Sequence, residues 1–381
     1  MGQRTSHDVI VVGGGIVGCA IAARLAREGL SVCLVERDVI GGAATAASMG
    51  HLVVLDDDPA ELALSAYSCA RWRELAPQLP AAAEYRATGT LWVACDDEEL
   101  SEARRKQTRL ARAGIASELL DAAALAAHEP ALRIGLAGGL RVPADAVVYP
   151  PVAAAHLARR AMDDGAHIVI GHAVRALVGD GVELDDGRVL HAGAVIVANG
   201  CAAPELVRCV PIRKRKGHLL VTARPSSADT LRVNHQLIEL GYVKSAHGSA
   251  GESVAFNVQP RPTGQLLLGS TRQFDDVSSE ITPRLLARLV ERAAEFLPGI
   301  GALPALRAWT GFRPTTPDHR PLIGRWPTRE RTWLACGHEG LGVTTALGTA
   351  DLIVAQLTGA APPFDPAPYD PARYAPEAMH A

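Results

Sequence analysis

The sequence has no excess of either charge. Its 381 residues include 38 Lys and Arg against 41 Asp and Glu, which gives a formal net charge of −3 at pH 7. This balance provides no overall basic field for nucleic acid or for an anionic membrane surface. The one basic run, at residues 213–216, is interpreted as a solvated loop. We therefore expect no nucleic-acid partner.

Closely spaced metal-ligand motifs are also missing. The seven cysteines are scattered, odd in number and without a C-x-x-C pair, and the 13 histidines include no H-E-x-x-H spacing. These patterns argue against a zinc or iron–sulfur site. Scattered cysteines also favour reduced thiols in the cytoplasm. We expect no bound metal and a cytoplasmic location.

A long apolar run is missing as well. The apolar stretch at 9–23 is too short and too rich in glycine to span a bilayer, and its cleavage as a signal peptide would destroy the glycine pattern within it. The start of the chain also matches a myristoylation pattern, but such short patterns recur by chance. With 48% hydrophobic and 21% charged residues, the chain has the composition of a globular protein without an integral membrane segment.

The strongest pattern that is present lies in residues 8–36. An apolar run at 9–12 predicts a buried strand, and a helical pattern and a second apolar strand then lead to Glu36. Between the first strand and the helix the spacing is G-x-G-x-x-G, with glycines at Gly13, Gly15 and Gly18. This order predicts a dinucleotide-binding unit, and the alternative is a purely structural glycine turn.

Each part of this unit has a physical role in binding a dinucleotide. Gly13 allows the tight turn, Gly15 lets the backbone approach a pyrophosphate, and Gly18 lets the helix pack on the strand. The helix N-terminus offers unpaired N–H groups and a partial positive charge to the phosphates. The carboxylate of Glu36 can accept the hydroxyls of an adenosine ribose and disfavours a 2′-phosphate. NAD or FAD is therefore expected rather than NADP.

Further strand and helix patterns organise the rest of the chain. Helical patterns cover residues 59–79, 98–127, 152–166 and 283–296. The turn at 185–188 predicts a β-hairpin, and alternating runs between 211 and 298 predict an antiparallel sheet. Near the C-terminus, a strand at 332–336 is followed by a glycine-rich turn and a helix that reaches Gly359. This second strand–turn–helix unit can also direct helix N–H groups at a partial negative charge.

These patterns predict an α/β fold in which a Rossmann-type domain is combined with a second, mainly antiparallel β-sheet substrate domain that also carries helices. The Rossmann-type domain is discontinuous and covers residues 1–82, 146–210 and 306–360. The substrate domain covers residues 83–145 and 211–305. The proline-rich segment 361–381 is expected to be an extended tail.

Three motifs resemble those of the D-amino-acid-oxidase superfamily of FAD enzymes. They are VVGGGIVG…VER near the start, VIVANG in the middle, and GFRPTTPDHRPLIG…GHEGLGVTTALGTA near the end. The resemblance covers nearly the whole chain and is closest to the branch of glycine oxidase and D-amino-acid or hydroxyproline dehydrogenases. It implies that the Rossmann-type domain binds FAD. Because GFRPTTPD contains no cysteine for a flavin bond, we expect the FAD to be non-covalent.

The resemblance also implies which residues contact the cofactor. The glycine turn and Glu36 would bind the ADP half, the backbone of Val174 would meet the adenine, and residues 45–47 would lie near the flavin ring. The start of the last helix would stabilise the reduced flavin. The full set of implied cofactor contacts is Gly13, Gly15, Ile16, Val17, Gly18, Glu36, Arg37, Ala43, Ala44, Thr45, Ala47, Ser48, Val174, Ala198, Asn199, Gly200, Gly311, Arg313, Gly340, Leu341, Gly342, Val343 and Thr344.

Arg313 is implied to hold the carboxylate of the substrate. A guanidinium binds a carboxylate through two parallel hydrogen bonds, which fixes the C–H bond that faces the flavin. The alternative for Arg313 is a structural salt bridge. In this family an amine bound in its deprotonated form gives its α-hydride to flavin N5 and the imine hydrolyses, so no side-chain base is required.

Two departures from glycine oxidases suggest a wider pocket. Asn257 stands where those enzymes place a tyrosine, and Glu339 with Gly340 stands where they carry a second arginine. Glycine itself is therefore in doubt as the substrate. The full set of expected substrate contacts is Arg313, Asn257, His51, Tyr242, Lys244, Arg261, Arg272 and Glu339.

We therefore predict a glycine oxidase-like, FAD-dependent amine oxidase that acts on an N-substituted glycine or another bulky amino acid. An N-carboxymethyl compound would release glyoxylate and the free amine. The alternatives are a D-amino-acid or D-hydroxyproline dehydrogenase that reduces a partner or quinone, a non-catalytic flavin-binding scaffold, and an NAD-dependent dehydrogenase. The expected partners are an amino-acid-like substrate with a carboxylate and either O2 or an electron acceptor; a homo-oligomer is left open.

Overall fold

The computed structural model describes residues 6–56, 58–225, 231–241, 251–274 and 276–375. Its helices are α1 (Ile16–Arg27), α2 (Ala43–Ala46), α3 (Pro59–Leu75), α4 (Asp97–Arg112), α5 (Ala122–His128), α6 (Pro150–Asp163), α7 (Ala203–Leu206), α8 (Pro283–Phe296) and α9 (Gly342–Thr358). Its strands are β1 (Ser6–Val12), β2 (Val32–Glu36), β3 (His51–Leu52), β4 (Thr90–Ala94), β5 (Glu118–Asp121), β6 (Gly138–Val142), β7 (Ala146–Val147), β8 (His167–Ile170), β9 (Val174–Val178), β10 (Gly181–Leu184), β11 (Val189–Val197), β12 (Arg213–Thr222), β13 (Gln236–Glu239), β14 (Glu252–Pro260), β15 (Leu266–Gln273), β16 (Ala305–Thr315), β17 (Leu322–Arg325) and β18 (Thr332–Cys336).

The first sheet has the strand order β17-β18-β11-β1-β2-β8, and β10 and β9 extend it from β11. The central strand β1 pairs in parallel with β11 and with β2. Val9 and Val11 of β1 belong to an apolar cluster with residues of α1, α6 and α9, whereas Ile10 and Val12 belong to a different cluster. Since neighbouring strand residues point to opposite faces, the sheet is buried on both faces, as the unbroken apolar run predicts.

The structure confirms the α/β architecture and its main units. β1, α1 and β2 follow one another as the glycine pattern predicts, and α8 and β18 have the predicted bounds. β10 and β11 form the predicted hairpin, and Gly187 in its turn has a φ of +84°. α9 ends before Gly359, which has a φ of +72° and so adopts the left-handed conformation common after helices.

The second sheet has the order β16-β12-β15-β14-β13-β4-β6-β5. Its neighbouring strands are antiparallel, except that β13 and β4 run in parallel. Helix α8 packs on this sheet through residues that include Leu289 and Ala293, and the rings of Phe296 and Phe256 stack at a centroid distance of 4.2 Å. Residues of β12, β14, β15 and β16 also contact residues 47–51.

Three expectations about local structure were wrong. The helical region predicted at 98–127 is interrupted by β5, which pairs with β6. The basic run at 213–216 begins strand β12 and is not a solvated loop: Arg215 and Lys216 are buried, and each pairs with a carboxylate. β16 pairs along its whole length with β12, although residues from 306 onward were assigned to the Rossmann-type domain. These pairings join distant parts of the chain, so local patterns do not reveal them. The other domain boundaries stay predictions.

The described part of the C-terminal segment is folded, so the expectation of an extended tail is wrong for residues 361–375. Two 3-10 turns lie at 367–369 and 371–374. The buried Tyr369 donates a hydrogen bond to the carbonyl of Ala60 at 2.5 Å, and the ring of Phe364 packs against those of Tyr67 and Tyr369. These aromatic contacts hold the segment against α3.

Each of the seven cysteines is free. Among the described helices, none combines the length and the apolar character that a membrane crossing requires. The expected cytoplasmic location stays a prediction.

Candidate active site

The glycine turn between β1 and α1 is built from close backbone contacts. Gly13 has a φ of +108°, and a Cβ atom there would lie 2.8 Å from the carbonyl oxygen of Ala198. A Cβ atom at Gly18 would lie 1.9 Å from the carbonyl oxygen of Gly13. At Gly15 the nearest atom to such a Cβ would be Thr45 Oγ1, at 3.3 Å. Gly13 therefore lets the chain turn and Gly18 lets the helix pack, while Gly15 leaves the helix N-terminus approachable.

Helices α1 and α9 begin without a side-chain cap among the described residues. In contrast, α3, α4 and α5 are each capped by the carboxylate of an aspartate: Asp58, Asp96 and Asp121. Thr45 Oγ1 accepts a hydrogen bond from the Ile16 N–H at 3.0 Å, and the rest of the first turn of α1 has no such side-chain partner in this part of the chain. A helix start with unpaired N–H groups is suited to an anionic group such as a phosphate.

Glu36 lies at the carboxyl end of β2, beside the glycine turn. Its carboxylate accepts hydrogen bonds from the N–H groups of Gly14 at 2.6 Å and Asp38 at 2.8 Å. A carboxylate has about four acceptor positions, so it can still accept ribose hydroxyls. The neighbouring Arg37 is exposed and pairs with Asp38 at 3.0 Å. Val174 opens β9, shortly after a loop whose Gly171 N–H binds the Glu36 carbonyl at 2.9 Å.

The residues around this turn fit a dinucleotide cofactor. Ala198, Asn199 and Gly200 follow β11, and the first two lie against Gly13. Asn199 Oδ1 is buried and has no hydrogen-bond partner within the described residues. On the other side, the small residues of α2 are largely exposed, and Ser48 just beyond it donates a hydrogen bond to the Thr45 carbonyl at 2.8 Å. Exposed backbone and small side chains let a dinucleotide approach closely, and Asn199 Oδ1 can accept a hydrogen bond from it. We call this group of residues the cradle.

Residues 47–51 connect this cradle to the second sheet. The Ala47 carbonyl accepts a hydrogen bond from Trp309 Nε1 at 3.3 Å, and a Cβ at Gly311 would lie 2.4 Å from the Ala47 Cβ. The His51 carbonyl accepts a hydrogen bond from Thr344 Oγ1, in the first turn of α9, at 2.8 Å. Residues 47–51 therefore hold β16 and the start of α9 close to the same part of the cradle.

Arg313 lies on β16 with its guanidinium over the backbone of β12. A Cβ atom at Gly217 would lie 2.4 Å from Arg313 Nη1, and a Cβ at Gly340 would lie 3.7 Å from its Nε. Nη1 donates a hydrogen bond to the carbonyl oxygen of Thr271 at 3.1 Å. The side chain is half-buried. The guanidinium thus stands between two glycines, and the second of them, Gly340, lies two residues before α9.

His51 and Asn257 form a polar cluster at the same segment. Asn257 Nδ2 lies 3.0 Å from His51 Nε2, and the other ring nitrogen of His51 contacts Gln236 Oε1. Burial lowers the pKa of His51, although its hydrogen bonds act in the opposite direction, so the ring is neutral at pH 7. Asn257 is 7% exposed.

Glu339, expected near the substrate, is engaged in ion pairs. It pairs with Arg215 and, at 2.8 Å, with His319 Nδ1. Burial alone would raise the pKa of Glu339, but the hydrogen bond from His319 and the charges of Arg215, His319 and Arg272 outweigh it and lower the pKa to about 2. The carboxylate is therefore an anion that the protein itself neutralises.

The other expected substrate contacts lie in different surroundings. Arg261 pairs with Glu84 and donates a hydrogen bond to Gln259 Oε1 at 2.8 Å. Arg272 is buried and lies near Glu339. Tyr242 and Lys244 lie outside the described residues.

Four residues of this region were not identified from the sequence: Arg215, Gly217, Gln236 and His319. The apolar run at 219–221, which follows closely, could have indicated a strand that already includes Arg215 and Gly217. No local pattern marks Gln236 or His319, because their partners are distant in the chain.

Among the residues that the structure describes, two groups have metal-ligating atoms within 4.8 Å of one another. They are His7, Cys33 and His167, and His172, Asp185 and Asp186. Both groups belong to the strands and turns of the first sheet and are separate from the contacts around Arg313. The expected absence of a metal stays a prediction.

Comparison with known proteins gives consistent results. Residues 8–356 match the DAO family, described as FAD dependent oxidoreductases. The glycine oxidase of Pseudomonas putida is 30% identical over 376 residues, which cover 95% of this chain and 97% of that protein. The crystal structure of glycine oxidase from Geobacillus kaustophilus superposes with a TM-score of 0.85 and 25% identity, over 96% of this chain and 98% of that one.

Some relatives are much longer. The bifunctional protein ThiO/ThiG of Trichormus variabilis is 27% identical over 361 residues, which cover 91% of this chain and 52% of that protein. The chain thus spans about half the length of such bifunctional relatives.

Proposed function

The chain belongs to the DAO family of FAD dependent oxidoreductases, and from this premise we propose that it oxidises the C–N bond next to the carboxylate of an N-substituted glycine or another bulky amino acid. The observation that carries the proposal is the position of Arg313, whose guanidinium lies over Gly217 and beside Gly340. The guanidinium therefore lies close to the start of α9 and on the face of the second sheet that contacts residues 47–51.

The glycine turn, Glu36 and the uncapped start of α1 are the residues that would hold the ADP half of FAD. The start of α9 and residues 43–48 would hold the flavin. When bound, FAD supplies the acceptor for a hydride from the carbon next to the substrate nitrogen. The protein contributes binding, orientation and electrostatics.

Arg313 would bind the substrate carboxylate through two charge-assisted hydrogen bonds. The planar guanidinium fixes the direction of the carboxylate, and with it the C–H bond that is broken. Gly217 and Gly340 leave room around the guanidinium because neither carries a Cβ atom. The hydrogen bond to the Thr271 carbonyl restrains the side chain without neutralising its charge.

Asn257 supports a substrate larger than glycine, because its side chain is shorter than the tyrosine found at this position in glycine oxidases. The amine loses a hydride from its α-carbon and a proton from its nitrogen, and water then adds to the imine carbon. For an N-carboxymethyl compound, this hydrolysis breaks the C–N bond and gives glyoxylate and the free amine.

The test is a substrate panel applied to the purified holoenzyme. Glycine, sarcosine, D-proline and larger N-alkylglycines are mixed anaerobically with the enzyme, and bleaching of the flavin and formation of glyoxylate are measured. We expect the larger N-alkylglycines to bleach the flavin fastest and to yield glyoxylate. Turnover of free D-amino acids alone would contradict the N-substituted substrate, and a flavin that none of these amines bleaches would favour a non-catalytic role.

The electron acceptor is tested with the same preparation. Oxygen uptake and peroxide formation at full turnover would support an oxidase. Reduction of a dye or quinone without oxygen uptake would instead support a dehydrogenase.

A further inference from the structure

A chain of hydrogen bonds beginning at a backbone carbonyl fixes the orientation of three side chains near Arg313. The carbonyl oxygen of Ala146 accepts a hydrogen bond from Gln236 Nε2 at 3.0 Å. Because a carbonyl can only accept, the NH2 group of the Gln236 amide must point to Ala146. Its oxygen, Oε1, therefore points to His51.

This orientation determines which nitrogen of His51 carries the proton. Gln236 Oε1 is an acceptor, so the ring nitrogen that contacts it, Nδ1, must be the donor. Gln259 Nε2 also stands 3.5 Å from Nδ1, but it is itself a donor and cannot replace that proton. In the neutral ring, Nε2 is then left as an acceptor.

The tautomer of His51 in turn orients Asn257. Asn257 Nδ2 lies 3.0 Å from His51 Nε2 and donates to it. The amide oxygen Oδ1 must therefore point away from the ring. Although the residue is 93% buried (7% exposed), Oδ1 has no hydrogen-bond partner in the part of the chain that the structure describes. A buried acceptor without a protein partner is rare, and this oxygen is suited to accept a hydrogen bond from a bound molecule.

Asn257 and Arg313 stand on the same face of the second sheet. Asn257 pairs with Gly269, and a Cβ at Gly269 would meet Met49 Sδ at 2.5 Å. Arg313 follows Gly311 by two residues on β16, and a Cβ at Gly311 would meet Ala47. Both side chains thus belong to the face that covers residues 47–51.

We propose that Asn257 Oδ1 accepts a hydrogen bond from an N–H group of the substrate, and that His51 is the positioning residue that keeps this oxygen turned toward it. The inference rests on the proposed function, in which Arg313 binds the carboxylate of the same molecule. It narrows the substrate to carboxylates whose nitrogen carries a hydrogen when bound, which means primary and secondary amines.

The test uses two non-reacting acids of nearly identical shape. Pyrrole-2-carboxylate has a ring N–H, and furan-2-carboxylate has an oxygen acceptor in the same place. Their dissociation constants are measured with the holoenzyme from the change in flavin absorbance. We expect the wild type to bind the pyrrole about tenfold more tightly than the furan, as one hydrogen bond to a buried partner predicts. Equal affinities would overturn the inference.

Variants of Asn257 and His51 then show whether these residues cause the preference for pyrrole-2-carboxylate. Asn257→Leu removes the acceptor and should abolish the preference for pyrrole. His51→Leu frees the Asn257 amide to rotate and should weaken the preference. His51→Gln should restore it, because a glutamine can donate to Gln236 Oε1 and accept from Asn257 Nδ2. Retention of the full preference in Asn257→Leu or in His51→Leu would overturn the corresponding role.

The same measurements separate this inference from the proposed function. If both acids bind with equal affinity, the carboxylate site stands and the role of Asn257 falls. If neither acid binds, by flavin absorbance and by calorimetry alike, the carboxylate site proposed around Arg313 fails, and the inference fails with it.

Discussion

At the scale of single residues, the orientation of Arg313 depends on the absence of a side chain at Gly217. The two residues lie on neighbouring strands, and the guanidinium lies across β12 where Gly217 exposes the backbone. A Cβ atom there would come within 2.4 Å of Nη1 and 2.9 Å of Cζ, well inside van der Waals contact. Any side chain at 217 must therefore move the guanidinium.

We expect Gly217→Ala to weaken the binding of furan-2-carboxylate by about tenfold or more, because the displaced guanidinium loses its two-bond contact with the carboxylate. The dissociation constant is measured from the flavin absorbance. Gly301→Ala is the matched control, since a Cβ there meets nothing within 4 Å. An unchanged affinity in Gly217→Ala would show that this carboxylate does not bind Arg313.

His319 gives a pH dependence of stability at the same scale. The hydrogen bond to Glu339 raises the pKa of His319 above its ordinary value, against the opposing effect of burial. A raised pKa in the folded state stabilises the protein fully below the unfolded pKa of about 6.5, and this contribution is lost as the pH rises through the folded pKa.

We therefore expect His319→Gln to lower the melting temperature more at about pH 5.5 than at about pH 9. The effect is at most ~1 kcal/mol because the pair is partly exposed to solvent. Melting curves of the wild type and the variant at both pH values provide the measurement. A difference that is equal at the two pH values would contradict the ion pair.

At the scale of secondary-structure elements, the helices differ in how they begin. In α3, α4 and α5 an aspartate accepts hydrogen bonds from one or two N–H groups of the first turn. In α1, Thr45 accepts from Ile16, and the other first N–H groups can bind a ligand. A change at the start of α1 should therefore affect cofactor binding, whereas the loss of an aspartate cap should affect only stability.

We expect Gly18→Ala to lose bound FAD, because its Cβ would lie 1.9 Å from the Gly13 carbonyl and push α1 away from the turn. Asp96→Ala, which removes the cap of α4, is the contrasting control and should cost about 1 kcal/mol of stability while FAD is retained. The flavin-to-protein ratio of each purified variant and its unfolding midpoint are measured. Full FAD content in Gly18→Ala would contradict the predicted role of the turn.

The elements that could be predicted from the sequence are those that depend on local contacts. β1, α1, β2, α8, β18 and α9 carry their own periodicity and end signals, so their positions follow from short stretches. The roles predicted for the glycine turn and for Arg313 also come from such local motifs.

Other features depend on partners far along the chain. The buried ion pair of Arg215 requires Glu339, 124 residues away, and so a charged run was mistaken for a loop. The orientation of Asn257 depends on His51, Gln236 and Ala146, which no local pattern connects. Such pairings become visible only when the chain is folded.

At the scale of the whole molecule, the C-terminal segment packs against two distant parts of the chain. Tyr369 is buried against α3 and donates a hydrogen bond to the Ala60 carbonyl. Arg373 pairs with Asp318 at 2.7 Å, in the loop between β16 and β17. The segment therefore supports the loop that leads from Arg313 toward α9.

We expect Tyr369→Ala to destabilise the protein by about 3 kcal/mol, as is typical for the loss of a buried aromatic side chain. Tyr369→Phe keeps the ring, loses only one hydrogen bond and should cost about 1 kcal/mol. Chemical denaturation of both variants gives the two values. A stability loss below that of Tyr369→Phe in the alanine variant would contradict the packing of this segment.

The central claim is that Arg313 binds the carboxylate of a ligand next to bound FAD. The most direct test compares the affinity of the holoenzyme for pyrrole-2-carboxylate with its affinity for pyrrole-2-carboxamide, in the wild type and in Arg313→Leu. We predict that the wild type prefers the carboxylate by about 100-fold, as charge-assisted hydrogen bonds imply, and that Arg313→Leu binds the two compounds with nearly equal affinity. An undiminished preference for the carboxylate in Arg313→Leu would contradict the claim.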